Sequence, residues 1–587
     1  MTHSVSPEED RFSALAARVE ELTRSVEALQ GRLSILEQGG STARAASPAP
    51  MPVLQAVELH SDEVDQEALP SSADVARILG LVGRTLIIFG GAFLLRAVTA
   101  SGYLPQGAGV AAAFVYALFW LYLADRTAGR RAAPSAALSA AFHGATAVLI
   151  GLPLIWETTT RFQYLGPTAS GAVLSLFVAA AAFVAWRRGL QSLAWLVGLG
   201  TPVAALFLLS GTKEAAPFSF ALVLLGVVGL ALYELRGWSG VGWWMGLMGP
   251  FGAFLAVFTA LAQKRGGEPA ALAIGLLLAL ACLAGLVLAT LVAKREVRLF
   301  DAVQSGLAVL SGYGGAAFAA RALGGGAAAL VGGLGLLLAV AGYWAAFRLI
   351  ARAQRRKLLL YSTLGLVFAL AGSALLLPAP ARAVAWSAAA GLAGWQSVRR
   401  SRVTLSLHGA VYSLAAAGAS GLLTAAVYAF AAPAGTPWPP LAPVAFLALA
   451  AAAAVCALPV PHPAPFWKPY EGLTRVLQIA VFLWGAAGVG LHLLAPLLAR
   501  VAEPVDAGLL ATVRTAVLTA VALLLGWAAR WPRFREAGWL VYPTLLLAAV
   551  KLLAEDFPQG RPATLFVALA LCGLAFIFAP RMARRGA

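Results

Sequence analysis

Lys551 and Glu555 stand four residues apart, and Asp556 follows at once. On a helix, positions i and i+4 share a face, so an ammonium and a carboxylate at that spacing meet. Arg514 lies inside the preceding long apolar run, Arg96 near the end of the first such run, and Glu157 just past the end of the third. Charges at membrane depth are costly and are retained where they pair, line water or serve function. Two arrangements fit these residues. One is a set of local ion pairs and snorkelling side chains. The other is a single polar cluster of Arg96, Glu157, Arg514, Lys551, Glu555 and Asp556 around a cavity open to the outer face. Lys551 is expected to pair with Glu555 or Asp556, and Arg514 and Arg96 to face protein rather than lipid. Consecutive antiparallel helices are usually neighbours, so Arg514 and Asp556 are expected to approach each other.

Other chemistry finds little footing. Cys282, Cys456 and Cys572 each sit alone in an apolar run and read as small buried hydrophobes. His143 reads as a hydrogen-bonded core residue, with a proton relay as the alternative, and His408 and His492 lie towards the ends of their runs. None has a Cys, Asp or Glu at metal-ligand spacing. There is no phosphate-binding loop, nucleophile elbow, zinc-protease pair or dinucleotide fingerprint. The sequence therefore points to no catalytic residue, metal or cofactor, and leaves enzymatic activity undecided, with the balance against it.

The elements that must carry these groups are membrane helices. Hydrophobic residues make up 60% of the chain and charged residues 12%, where soluble domains carry about 25% charged. The run 79–99 is the first long enough to cross a bilayer, which takes about 20 residues. Cutting at charges, prolines and turn residues gives about eighteen spans: 79–99, 107–124, 134–155, 164–186, 190–210, 217–234, 240–262, 269–293, 300–320, 325–347, 358–378, 381–397, 403–431, 441–460, 473–499, 508–529, 537–554 and 563–579. With the N-terminus inside, 25 Lys and Arg fall in inner loops and the tail, Lys357 and Arg475 among them, against eight in outer loops. The positive-inside rule then puts both termini in the cytoplasm, with a basic tail at 581–587. The net charge of +17 reflects this loop bias, so it is not a nucleic-acid footprint.

Residues 1–76 are different, with five Arg against thirteen Asp and Glu. Phe12, Leu15, Val19, Leu22, Val26, Leu29, Leu33 and Leu36 alternate at spacings of three and four. β-Branched Val at two of the four a positions, with Leu at every d, favours a parallel dimer. A single amphipathic helix packed on the protein's own loops is the alternative. The expected plan is a cytoplasmic coiled coil over 1–40, a disordered acidic linker over 41–78 and an all-α transmembrane bundle over 79–580.

Several stretches resemble an uncharacterised bacterial family of membrane proteins that carries a domain of unknown function. They are Gly83 with GGAFLLRA at 90–97, QSLAWLVGLGTPVAALFLLS at 191–210, and LLAAVKLLAEDF at 546–557 followed by Arg561 and a final helix. The pair Glu555-Asp556 departs from the family's more usual lone acid. The resemblance implies an N-terminal coiled coil, a linker and many membrane helices in a bacterial inner membrane; it implies no activity. Three functions stay open: transport or handling of an envelope or lipid-like component, a membrane scaffold organised by the coiled coil, and a transferase acting on lipid-linked substrates. Membrane lipids are the expected partners in each.

Overall fold

The computed structural model describes residues 105–129, 134–263, 266–350, 354–461, 468–501 and 506–585, together with Gly83, Gly90, Gly91 and Ser101. The heptad segment, the acidic linker, Arg96 and all of the expected span 79–99 but those three glycines lie outside the described residues. Among those described, every regular element is helical. In chain order they are α1 (Gln106–Ala128), α2 (Pro134–Thr160), α3 (Pro167–Arg188), α4 (Gln191–Thr212), α5 (Ala216–Arg236), α6 (Ser239–Gln263), α7 (Glu268–Val287), α8 (Leu299–Leu307), α9 (Gly314–Leu323), α10 (Gly325–Trp344), α11 (Arg355–Leu376), α12 (Ala379–Arg400), α13 (Val403–Ala419), α14 (Leu422–Ala431), α15 (Pro443–Ala457), α16 (Lys468–Val501), α17 (Ala507–Ala528), α18 (Ala537–Lys551) and α19 (Pro562–Arg585). Short π-helical segments continue α7, join α8 to α9, and extend α10 and α18.

Helix ends follow local chemistry. Proline stands in the first turn of α3, α5, α7, α12 and α15, where an N–H has no helical partner to lose. Helices α3 and α5 stop at Gly189 and Gly237, whose φ angles of 74° and 71° are left-handed. Arg187, Arg188 and Arg236 occupy their last turns, opposite the negative end of the helix dipole.

Every expected span from residue 107 onward falls on helix. Among the described residues, thirteen helices are long and apolar enough to cross a membrane, and α13 with α14 makes a fourteenth if the pair is one span bent by 64°. The remaining expected spans differ for visible reasons. Residues 300–320 are divided by a π segment at Ala308–Tyr313. Helix α12 carries Arg382, Arg399 and Arg400 near its ends, and α15 has only 15 residues. The last helix runs on through Pro580 to Arg585, into the expected tail.

Small residues set the packing. A Cβ on Gly226 of α5 would lie 2.5 Å from the Cα of Gly249 on α6, and one on Gly275 of α7 would lie 2.5 Å from the carbonyl of Gly312. Such close backbone approach is how helices gain contact where lipid offers no hydrophobic drive. Large side chains fill the interior of α1–α6, including Ile155, Leu174, Leu193 and Phe218. Leu176, Leu310, Leu330, Leu337 and Phe566 instead lie on the outside, as a lipid-facing surface requires.

Candidate functional site

The expected charges meet where α17 packs against α18. Helix α17 begins at Asp506, whose side chain accepts from Gly508 N–H at 3.0 Å and pairs with Arg561 at 3.1 Å. Two turns in stand Arg514 and Thr515. Helix α18 ends at Lys551, and the π segment Leu552–Asp556 carries the chain on. A π turn closes i→i+5 hydrogen bonds and fits one more residue per turn than an α turn. Glu555 and Asp556 therefore flank Lys551, and both reach it. The Lys551 ammonium lies 2.7 Å from Asp556 Oδ2 and 3.2 Å from Glu555 Oε2.

Each nitrogen of the Arg514 guanidinium donates a hydrogen bond. Its Nη1 donates to Glu555 Oε1 at 2.6 Å, Nε to the Ala429 carbonyl at 2.7 Å and Nη2 to the Ala432 carbonyl at 2.6 Å. Those carbonyls belong to the end of α14, where a helix leaves its last acceptors without internal donors. Arg514 thus caps α14 from another helix, with its guanidinium 5.8 Å from the Trp438 ring centroid. Lys551 also donates to the Ala511 carbonyl at 2.7 Å and to Thr515 Oγ1 at 2.9 Å, and Thr515 in turn donates to Asp556 Oδ2 at 2.8 Å. Two cations and two anions sum to zero, the arrangement a low-dielectric site tolerates. Arg514, Lys551 and Asp556 are buried and Glu555 is the most open of the four. One acceptor, Asp556 Oδ1, is buried without a bond.

The structure thus brings together Arg514, Lys551, Glu555 and Asp556. Arg514 reaches Glu555, while Asp556 belongs to Lys551 and Thr515. Glu157 is elsewhere, on α2, which packs against α1, α3 and α4; it pairs with Arg161 at 3.9 Å. Thr515, Trp438 and the two carbonyls were not expected. Thr515 was readable as a polar neighbour of Arg514, but a backbone carbonyl leaves no mark in a sequence.

Two expected loop charges are interior. Arg475 on α16 donates to the carbonyls of Cys456 and Leu458 and to Gln478. Lys357 on α11 donates to the Thr290 carbonyl at 2.9 Å. His408 is buried with Nδ1 3.3 Å from the Tyr343 hydroxyl, and His143 lies 3.3 Å from Thr127 Oγ1.

A groove of about 550 Å³ runs between α2 and α4. Its walls include Leu152, Pro153 and Trp156 from α2, and Gly200, Val203 and Phe207 from α4. Gly200 allows the close approach, since a Cβ there would lie 2.6 Å from Leu152 Cδ1. Trp156 meets Phe207 edge-on at 6.4 Å.

Fold and site together define a multi-pass, all-helical membrane protein with a buried four-charge network among its C-terminal helices. No protein-family model matches the chain, and no curated protein or solved structure matches it.

Proposed function

We propose that the protein handles a lipid-like or amphipathic component of a bacterial inner membrane, with both termini in the cytoplasm, and that the α2–α4 groove holds the apolar part of that molecule. The groove is the observation that carries this reading. Every residue lining it is apolar or glycine, and its volume falls within the range of about 300–1,000 Å³ usual for ligand sites. The charged network supports a different role, a clasp that ties α14, α17 and α18. Its cations are held by carbonyls and side chains of neighbouring segments.

Native mass spectrometry of the protein released from mild detergent tests the reading. The wild type should retain a bound lipid that Val203→Trp, which fills the groove, does not. Equal retention by both proteins would set the groove aside as the binding site.

A further inference from the structure

Gln304 on α8 is buried, and neither its Nε2 nor its Oε1 has a hydrogen-bond partner. A buried amide left unmatched costs free energy, and the fold nonetheless makes room for it. A Cβ on Gly246 of α6 would lie 2.6 Å from Gln304 Nε2. Gln304 lines a cavity of about 40 Å³ shared with Glu234, Asp301 and Ser305. That volume suits one water-sized body. We propose that this cavity binds a small monovalent cation of the sodium class.

The donor set consists of oxygens. Glu234 presents one oxygen, Oε2, to Arg295, and Asp301 Oδ2 accepts the Arg298 N–H at 2.8 Å. Each carboxylate keeps a second oxygen, and the Gln304 carbonyl and Ser305 hydroxyl complete a set of hard ligands. Glu234 stands in the last turn of α5, where the helix dipole is negative. Arg295 pairs with Glu234, and Arg298 lies within electrostatic reach of both Glu234 and Asp301, so the site suits a single positive charge better than a divalent ion, which draws on more carboxylates. Glu234 is partly exposed, which gives the ion a way in. This inference is independent of the lipid reading.

Thermal unfolding of the full chain in detergent, at constant ionic strength, tests it. Replacing N-methylglucamine by sodium should raise the melting temperature by several degrees in a saturable way. Gln304→Leu, which removes the unmatched amide at similar volume, should abolish the sodium-dependent rise. Binding of radioactive sodium to the wild type, read by scintillation proximity, gives a second measurement independent of the variant's folding. Saturable binding together with loss of the shift in Gln304→Leu supports the site. A wild type without sodium-selective stabilisation or saturable binding, or a variant with an unchanged shift, overturns it and leaves a cavity filled by water alone.

Discussion

Arg514 and Glu555 meet between helices, Nη1 to Oε1 at 2.6 Å, with 2% of the Arg514 side chain exposed. The pair does two jobs at once: it neutralises a buried cation, and it holds that cation over the last carbonyls of α14.

Breaking one partner leaves the other charge buried and unpaired. Arg514→Met or Glu555→Gln should each destabilise the protein by about 3–5 kcal/mol. The double variant should be less destabilised than the sum of the two, with a coupling of about 0.5–3 kcal/mol. Denaturant unfolding in micelles measures this, and additive effects would show that the pair is not coupled.

Thr515 bridges Lys551 and Asp556 through one hydroxyl. Thr515→Val keeps the shape and deletes the bridge, and should cost about 1–3 kcal/mol. Thr515→Ser should restore most of it. If valine were as stable as threonine, the bridge would contribute nothing.

The sequence makes the helices legible because the apolar runs are long and the breaks are charges, prolines and glycines. It also brings Lys551, Glu555 and Asp556 under notice, because i, i+4 spacing on a helix is a geometric statement. The choice of acid for Arg514 was not legible. That choice depends on the π segment Leu552–Asp556, which rotates Glu555 and Asp556 to either side of Lys551. No residue type announces a π turn. The interior placing of Lys357 and Arg475 was hidden for a related reason: both lie near the ends of their apolar runs, where a charge is normally solvated, and both are held by carbonyls of other segments.

The loop between α14 and α15 should face away from the cytoplasm. Cys282, Cys456 and Cys572 are buried, so a single introduced thiol can be read cleanly. Thr436→Cys is the suitable site, since Gly435 has a φ of 84° that a cysteine adopts only under strain. An impermeant maleimide should label it from the outer side of intact cells. Labelling only after the cytoplasmic side is opened would contradict both the eighteen-span plan and the proposed orientation.

The heptad segment 10–38 should form a parallel dimer on its own. The isolated peptide should be helical, with a melting temperature that rises with concentration. Leu22→Pro should abolish this, because proline costs about 3 kcal/mol inside a helix. A peptide that stays monomeric at high concentration would favour packing on the protein's own loops.

The most direct test of the lipid reading is photocrosslinking in bilayer nanodiscs, with a phospholipid carrying a diazirine at mid-chain. Cross-linked peptides should concentrate on 148–156 and 196–207, and Val203→Trp should sharply reduce them. Label spread evenly over the lipid-facing surface, including Leu330, Leu337 and Phe566, and unchanged by Val203→Trp, would contradict the account.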